Sequence, residues 1–94
     1  MAILTARART KKVQFSLNAP YAKKVAIAGT FNNWSATSDT LKKSRDGSWQ
    51  VSLNLRPGRH EYKYLVDGNW TNDPICNSCV PNNYGSCNCV IDVK

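Results

Sequence analysis

Apolar and polar residues alternate along most of the chain. In KKVQFSLN (11–18), Val13, Phe15 and Leu17 fall on one face and Lys12, Gln14 and Ser16 on the other. SWQVSLNL (48–55) repeats the pattern, with Trp49, Val51, Leu53 and Leu55 against Gln50, Ser52 and Asn54. HEYKYLV (60–66) sets Tyr62, Tyr64 and Val66 opposite Glu61, Lys63 and Leu65. CNCVIDV (87–93) sets Cys87, Cys89, Ile91 and Val93 opposite Asn88, Val90 and Asp92. KVAIAG (24–29) places Val25 and Ile27 on one face and small Ala26 and Ala28 on the other. A period of two predicts strands with one buried face, and no segment sustains a helical period. NAP, RDG, RPG, VDG, NDP and VPNNYG separate the runs as turns, with Gly supplying the positive φ that hairpin pairs such as Asp46-Gly47 and Asp67-Gly68 require. Short strands at about ten-residue spacing predict an antiparallel β-sandwich.

Length adds that this is one domain: 94 residues bury one modest core and leave no room for a second lobe or a deep cleft. No apolar run reaches the length of a membrane span, so no membrane association is expected. The opening MAILTARARTKK is basic but has no apolar core before a cleavage site, which sets the expectation of a cytoplasmic protein. The net charge of +7 raises nucleic acid as a partner. The basic residues are scattered, however, with Arg7, Arg9, Lys11 and Lys12 near the N-terminus and Lys23, Lys24, Lys42, Lys43 and Arg45 in two further groups. No basic helix or aromatic RNA-binding motif accompanies them, so nucleic acid is not the expected partner.

Catalysis is not expected either. His60 is the one histidine, and the carboxylates stand mostly in turns or on strand surfaces. A glycosidase pair needs a cleft that the length does not supply, which leaves a thiol redox centre as the enzymatic alternative.

The tryptophans separate by context. Trp49 lies on the inward register of a strand and reads as core. Trp34, in GTFNNWS (29–35), and Trp70, in DGNWTND (67–73), stand among Asn, Ser, Thr and Gly, outside any apolar period. The face of an exposed indole stacks on the C–H face of a pyranose, and nearby amides and amines hydrogen-bond sugar hydroxyls. Both tryptophans also complete N-x-S/T sequons, which matter only in a secreted chain.

VAIAGTFNNWS, DGSWQVSLNLRPGRHEYKYLVDGNWTNDP and YGSCNCVIDV resemble, in family order, the glycogen- and starch-binding modules of the CBM48 class. That class includes the carbohydrate-binding domain of the AMP-activated kinase β subunit, and with VQFSLNAP the likeness covers residues 13 to 93. The resemblance implies an immunoglobulin-like sandwich that binds α-1,4-glucan without catalysis. It implies that Trp34 and Trp70 stack on glucose rings, and that Lys63 and Asn88 hydrogen-bond hydroxyls. Both of the latter lie on the outward register of their strands. Tyr84 and Ser86 stand where the kinase-type modules carry a Leu and a Thr over the glucan; Ser keeps the hydroxyl, and Tyr is a departure that adds or reshapes a surface.

Cys76, Cys79, Cys87 and Cys89 form C-x2-C-x7-C-x-C, which the family pattern does not call for. In a reducing compartment four thiolates suit a closed structural Zn²⁺; disulfide or redox pairing and unligated thiols are the alternatives. Cys87 and Cys89 share the strand face away from Asn88, so a metal there would hold the last loop from behind.

The expectation is therefore a flexible basic segment over residues 1–10 and a carbohydrate-binding, all-β, immunoglobulin-like sandwich over 11–94, with a Cys-rich loop at 76–89. Its partner is an α-glucan, with a glucan-active enzyme or kinase in trans as a further partner. The competing reading is a protein-interaction module that keeps the fold and docks an enzyme or kinase without sugar.

Overall fold

The computed structural model describes residues 10–75, 78–82 and 85–94. Eight strands follow one another: β1 (Lys11–Asn18), β2 (Val25–Gly29), β3 (Lys42–Lys43), β4 (Ser48–Leu55), β5 (Gly58–Val66), β6 (Asn69–Thr71), β7 (Cys79–Pro81) and β8 (Cys87–Val93). They form two antiparallel sheets, ordered β1-β4-β3 and β2-β5-β8-β7, with β6 added beside β5. Among the described residues there is no helix, and so none long and apolar enough to cross a membrane. The chain is an antiparallel, immunoglobulin-like β-sandwich.

The alternation read from the sequence is the sandwich's inner lining. On the smaller sheet the register pairs Val13 with Leu53, Phe15 with Val51, and Leu17 with Trp49. All six point inward, because side chains two apart on a strand share a face. The larger sheet answers with Val25 and Ile27 on β2, Tyr62, Tyr64 and Val66 on β5, and Cys89 and Val93 on β8. The Phe15 ring meets Tyr62 edge-on with centroids 5.0 Å apart, and Tyr62 meets Tyr64 in the same way at 5.9 Å. Such edge-to-face contacts let large rings fill the space between sheets.

Polar tips inside this core are satisfied. The Trp49 indole N–H donates to the Ala19 carbonyl at 2.9 Å, and the Tyr64 hydroxyl donates to the Ser16 carbonyl at 3.2 Å. Both bonds tie a side chain of one strand to backbone from another part of the sandwich, as buried polar groups require.

The outer face of the larger sheet gathers polar and aromatic side chains from several strands. Ala28 pairs with Lys63, Leu65 with Trp70, Glu61 with Val90, and Val80 with Asn88. Glu61, Lys63, Trp70 and Asn88 therefore share one surface of one sheet, drawn from three strands.

Candidate functional site

The GTFNNWS turn follows β2 and is built around Asn32. Its Oδ1 accepts the Gly29 N–H at 3.0 Å, and its Nδ2 donates to the Ile27 carbonyl at 3.1 Å and the Asp39 carboxylate at 2.9 Å. The Gly29 carbonyl accepts the N–H groups of Asn32 and Trp34. Phe31 turns inward, its ring 6.0 Å from Phe15 and 6.1 Å from His60. Gly29 cannot carry a side chain, since a Cβ there would stand 2.7 Å from the Phe31 ring.

This scaffold holds Asn33 and Trp34 at φ 56° and 57°. Asn visits the left-handed region readily; a bulky residue there costs about 1–2 kcal/mol. Such an outlier persists only where the surroundings over-determine it, and it clusters at ligand sites. The bonds of Asn32 supply the constraint. The result is a half-buried Trp34 on the cleft wall.

Trp70 reaches the same cleft by another route. It is the middle residue of β6, the short return strand of a hairpin whose turn is Asp67-Gly68, with φ 49° and 85°. Asp67 Oδ1 accepts the N–H groups of Lys23 and Lys24 at 2.9 and 2.8 Å, which fixes the turn from outside. Past the strand, Asp73 is buried and accepts the Tyr62 hydroxyl at 2.7 Å and the Ile75 N–H at 3.1 Å. Pinned at both ends, Trp70 remains 51% exposed.

Burial pushes the Tyr62 hydroxyl far above its ordinary range, and the hydrogen bond to Asp73 and its negative charge add to the shift; Tyr64 is raised by burial as well. A folded-state pKa above the unfolded value of about 10 gives stability that is fully present below pH 10 and lost as pH rises beyond it. The urea midpoint is thus expected to stay level around neutrality and fall above about pH 10. Tyr62→Phe should flatten the alkaline fall while lowering the neutral midpoint, which denaturation at stepped pH measures directly.

Between the tryptophans lies an open cleft of about 980 Å³ lined by Trp34, Glu61, Lys63, Trp70, Pro81, Asn82, Ser86 and Asn88. Lys63 and Asn88 sit on the outward register, yet they are only 8% and 9% exposed. They form the floor rather than the rim. The Lys63 ammonium donates to Ser86 Oγ at 2.9 Å. The Asn88 amide is held at both ends, its Oδ1 accepting from Asn82 Nδ2 at 2.9 Å and its Nδ2 donating to Glu61 at 3.2 Å. An ammonium has three donors and an amide has two donors and two acceptor sites, so both groups keep capacity for a ligand. Indole walls and a floor of oriented donors and acceptors suit a ring that is apolar on its faces and hydroxylated on its edge. A smaller hollow of about 360 Å³ on the other sheet, among Gln14, Lys42, Lys43 and Gln50, has no aromatic lining.

Of the expected sugar-site residues, Trp34, Lys63, Trp70, Ser86 and Asn88 meet in this one cleft; Tyr84 lies outside the described residues. Glu61 and Asn82 went unnoticed as site residues. Glu61 was legible, because it precedes Lys63 by two positions on the same strand face. Asn82, read only as turn, carried no signal of its own.

Cys79, Cys87 and Cys89 stand behind the floor. Cys79 and Cys87 bring their Sγ atoms to 2.8 Å, while Cys89 is buried with its Sγ 3.9 Å from the Asp73 carbonyl. Among the described residues no three His, Cys, Asp or Glu side chains gather as a metal site; Cys76 lies outside those residues.

A small β-sandwich presenting two tryptophans and a polar floor on one sheet face defines a non-catalytic carbohydrate-recognition module. Comparison with known families makes the class particular. Residues 12–94 match the family described as the glycogen recognition site of AMP-activated protein kinase, and the chain belongs to that family. Over 72 residues, 77% of the chain, it is 42% identical to the 5'-AMP-activated protein kinase subunit beta-1 of Sus scrofa and 40% identical to subunit beta-2 of Homo sapiens. Over 54 residues, 57% of the chain, it is 43% identical to Protein PTST homolog 2, chloroplastic, of Arabidopsis thaliana. These stretches make up 56%, 25% and 10% of the relatives' lengths, so the likeness is to one module within longer proteins.

Proposed function

We propose that residues 11–94 form a self-contained module that binds α-1,4-glucan in the cleft between Trp34 and Trp70. The observation that carries this is the convergence of two tryptophans, one from a turn and one from the short strand β6, with the Lys63 ammonium and the Asn88 amide on one sheet face. Trp34 and Trp70 stack on glucose rings, Lys63 and Asn88 hydrogen-bond hydroxyls from below, and Ser86, with Tyr84 beside it in sequence, closes the loop side. The module is not itself an enzyme: it holds glucan for a glucan-active enzyme or a kinase, a role supported by the kinase subunits among its relatives.

A cytoplasmic setting fits this use. Asn33 and Asn69 are exposed sequon positions directly beside the two stacking residues, and N-glycans on them would obstruct the cleft. Calorimetric titration with maltoheptaose tests the proposal. Weak saturable binding is expected, because a shallow site buries little area against its ordering costs. No heat and no fluorescence change at millimolar sugar would favour the protein-docking alternative.

The cysteines are proposed to clamp the loop of Asn82 and Ser86 from behind. A structural zinc on Cys76, Cys79, Cys87 and Cys89 is the first reading, supported by Cys79 and Cys87 lying side by side and by Cys87 and Cys89 sharing one strand face. The 2.8 Å separation favours a second reading, a Cys79–Cys87 disulfide. Elemental analysis with thiol titration before and after chelation decides: one zinc per chain, or two thiols lost to a disulfide. Four freely titrating thiols and no metal would remove both.

A further inference from the structure

We propose that Glu61 and Asn82 are positioning residues that set the direction of the amide hydrogen bonds on the cleft floor, and so fix which atoms Asn88 offers to a sugar. The inference rests on the glucan reading of the cleft and deepens it. The bonds form a closed circuit. Starting on β5, Glu61 accepts from Asn88 Nδ2, Asn88 Oδ1 accepts from Asn82 Nδ2, and Asn82 Oδ1 accepts the Ser86 N–H at 3.2 Å. The Asn82 N–H in turn donates to the Ser86 carbonyl at 3.0 Å, and Ser86 Oγ accepts from Lys63, two residues along β5 from the start.

An isolated amide is ambiguous, since its oxygen and nitrogen can exchange places. Here each orientation follows from fixed chemistry at the ends. The Ser86 N–H can only donate, so Asn82 must turn its oxygen toward it. That leaves the Asn82 nitrogen facing Asn88, which must therefore present its own oxygen. The Asn88 nitrogen is then directed at Glu61, whose ionised carboxylate only accepts. With one end a backbone donor and the other a carboxylate, the circuit has a single sense. The second Asn88 N–H and the two remaining Lys63 N–H groups are left to point at a ligand, already oriented in a floor that is 8–9% exposed. Preorganisation of this kind lowers the ordering cost of binding.

Three substitutions separate polarity from mere packing. Asn82→Asp keeps an acceptor for the Ser86 N–H but replaces the donor to Asn88 with a second acceptor. Glu61→Gln keeps an acceptor oxygen for the Asn88 N–H, and Glu61→Leu removes it. Maltoheptaose affinity is expected to fall about tenfold or more in Asn82→Asp and Glu61→Leu, a loss of about 1.4 kcal/mol, and to stay within about threefold in Glu61→Gln. Thermal midpoints of all three should stay close to that of the unsubstituted protein, since the groups concerned line an open cleft. Near-native affinity in both Asn82→Asp and Glu61→Leu would overturn the proposal. So would a Glu61→Gln variant as weak as Glu61→Leu, which would assign the effect to the carboxylate's charge.

A sugar-free readout keeps the proposal distinct from the glucan reading. The Asn88 side-chain proton that bonds Glu61, followed by NMR, should exchange slowly with water in the native protein and in Glu61→Gln, and rapidly in Glu61→Leu and Asn82→Asp. If that pattern holds while maltoheptaose fails to bind, the circuit stands and the glucan reading falls. If sugar binds while the amide exchanges alike in all four proteins, the circuit falls.

Discussion

Trp70→Ala is expected to weaken maltoheptaose binding by about thirtyfold or more while leaving the urea midpoint within experimental error of the native value. The reasoning starts from exposure. About half of the Trp70 surface faces solvent in the unliganded protein. Covering roughly 100 Å² of apolar ring face with a pyranose contributes on the order of 2 kcal/mol at about 25 cal/mol/Å², which is the stated change in affinity. Stability has little stake in the same side chain, because the hairpin is held by Asp67 and Asp73 rather than by the indole. Intrinsic fluorescence titration of the variant alongside native protein reads the first quantity, and urea denaturation reads the second. A Trp70→Ala protein that binds like the native one would remove stacking from the account.

Trp49→Ala should give the opposite result. This indole is buried, pairs across the sheet with Leu17, donates to the Ala19 carbonyl and lies 5.8 Å beneath the Lys43 ammonium. Truncating a buried Trp to Ala costs about 3–5 kcal/mol, and here it also removes one of the two hydrogen bonds that the Ala19 carbonyl accepts, leaving the one from the Ala22 N–H. Against a total stability of about 5–15 kcal/mol, with a domain of this size toward the lower end, that is most of the margin. The urea midpoint should fall by about 2 M, taking a slope of 1–3 kcal/mol/M. Whatever fraction stays folded should bind maltoheptaose with unchanged affinity, since Trp49 belongs to the other sheet. On the proposed function the two tryptophans divide the roles: one holds the sandwich and one meets the ligand.

Which of the two is buried and which is exposed was readable in the sequence, because period-two patterning is a statement about faces. Strands β1, β4 and β8 coincide with the runs 11–18, 48–55 and 87–93, and β5 extends the run 60–66 by two residues to Gly58. Strands β3, β6 and β7 are two or three residues long, too short to show any period, so no periodicity marks Trp70 as a strand residue rather than a loop residue. The burial of Lys63 and Asn88 was likewise hidden. Alternation says which face a residue takes, not whether other parts of the chain will wall that face in. The left-handed backbone of Trp34 depends on Asn32 bonding to Ile27 and Asp39, a tertiary arrangement that the letters FNNW do not spell out. The floor circuit depends on a hairpin whose Asn82 reads only as turn.

The small cleft also sets what this protein can do alone. On the proposed function its floor orients hydroxyls and its walls hold ring faces, while the Glu61 carboxylate that lines it accepts from the Asn88 amide.

The most direct test is a maltoheptaose titration followed by two-dimensional NMR, with indole and backbone amide signals assigned. The account predicts progressive shifts confined to Trp34, Trp70, Lys63, Ser86, Asn88 and their neighbours, with the Trp49 indole signal and the β1-β4-β3 sheet unmoved. Shifts centred on the smaller sheet, or none anywhere at millimolar sugar, would contradict it.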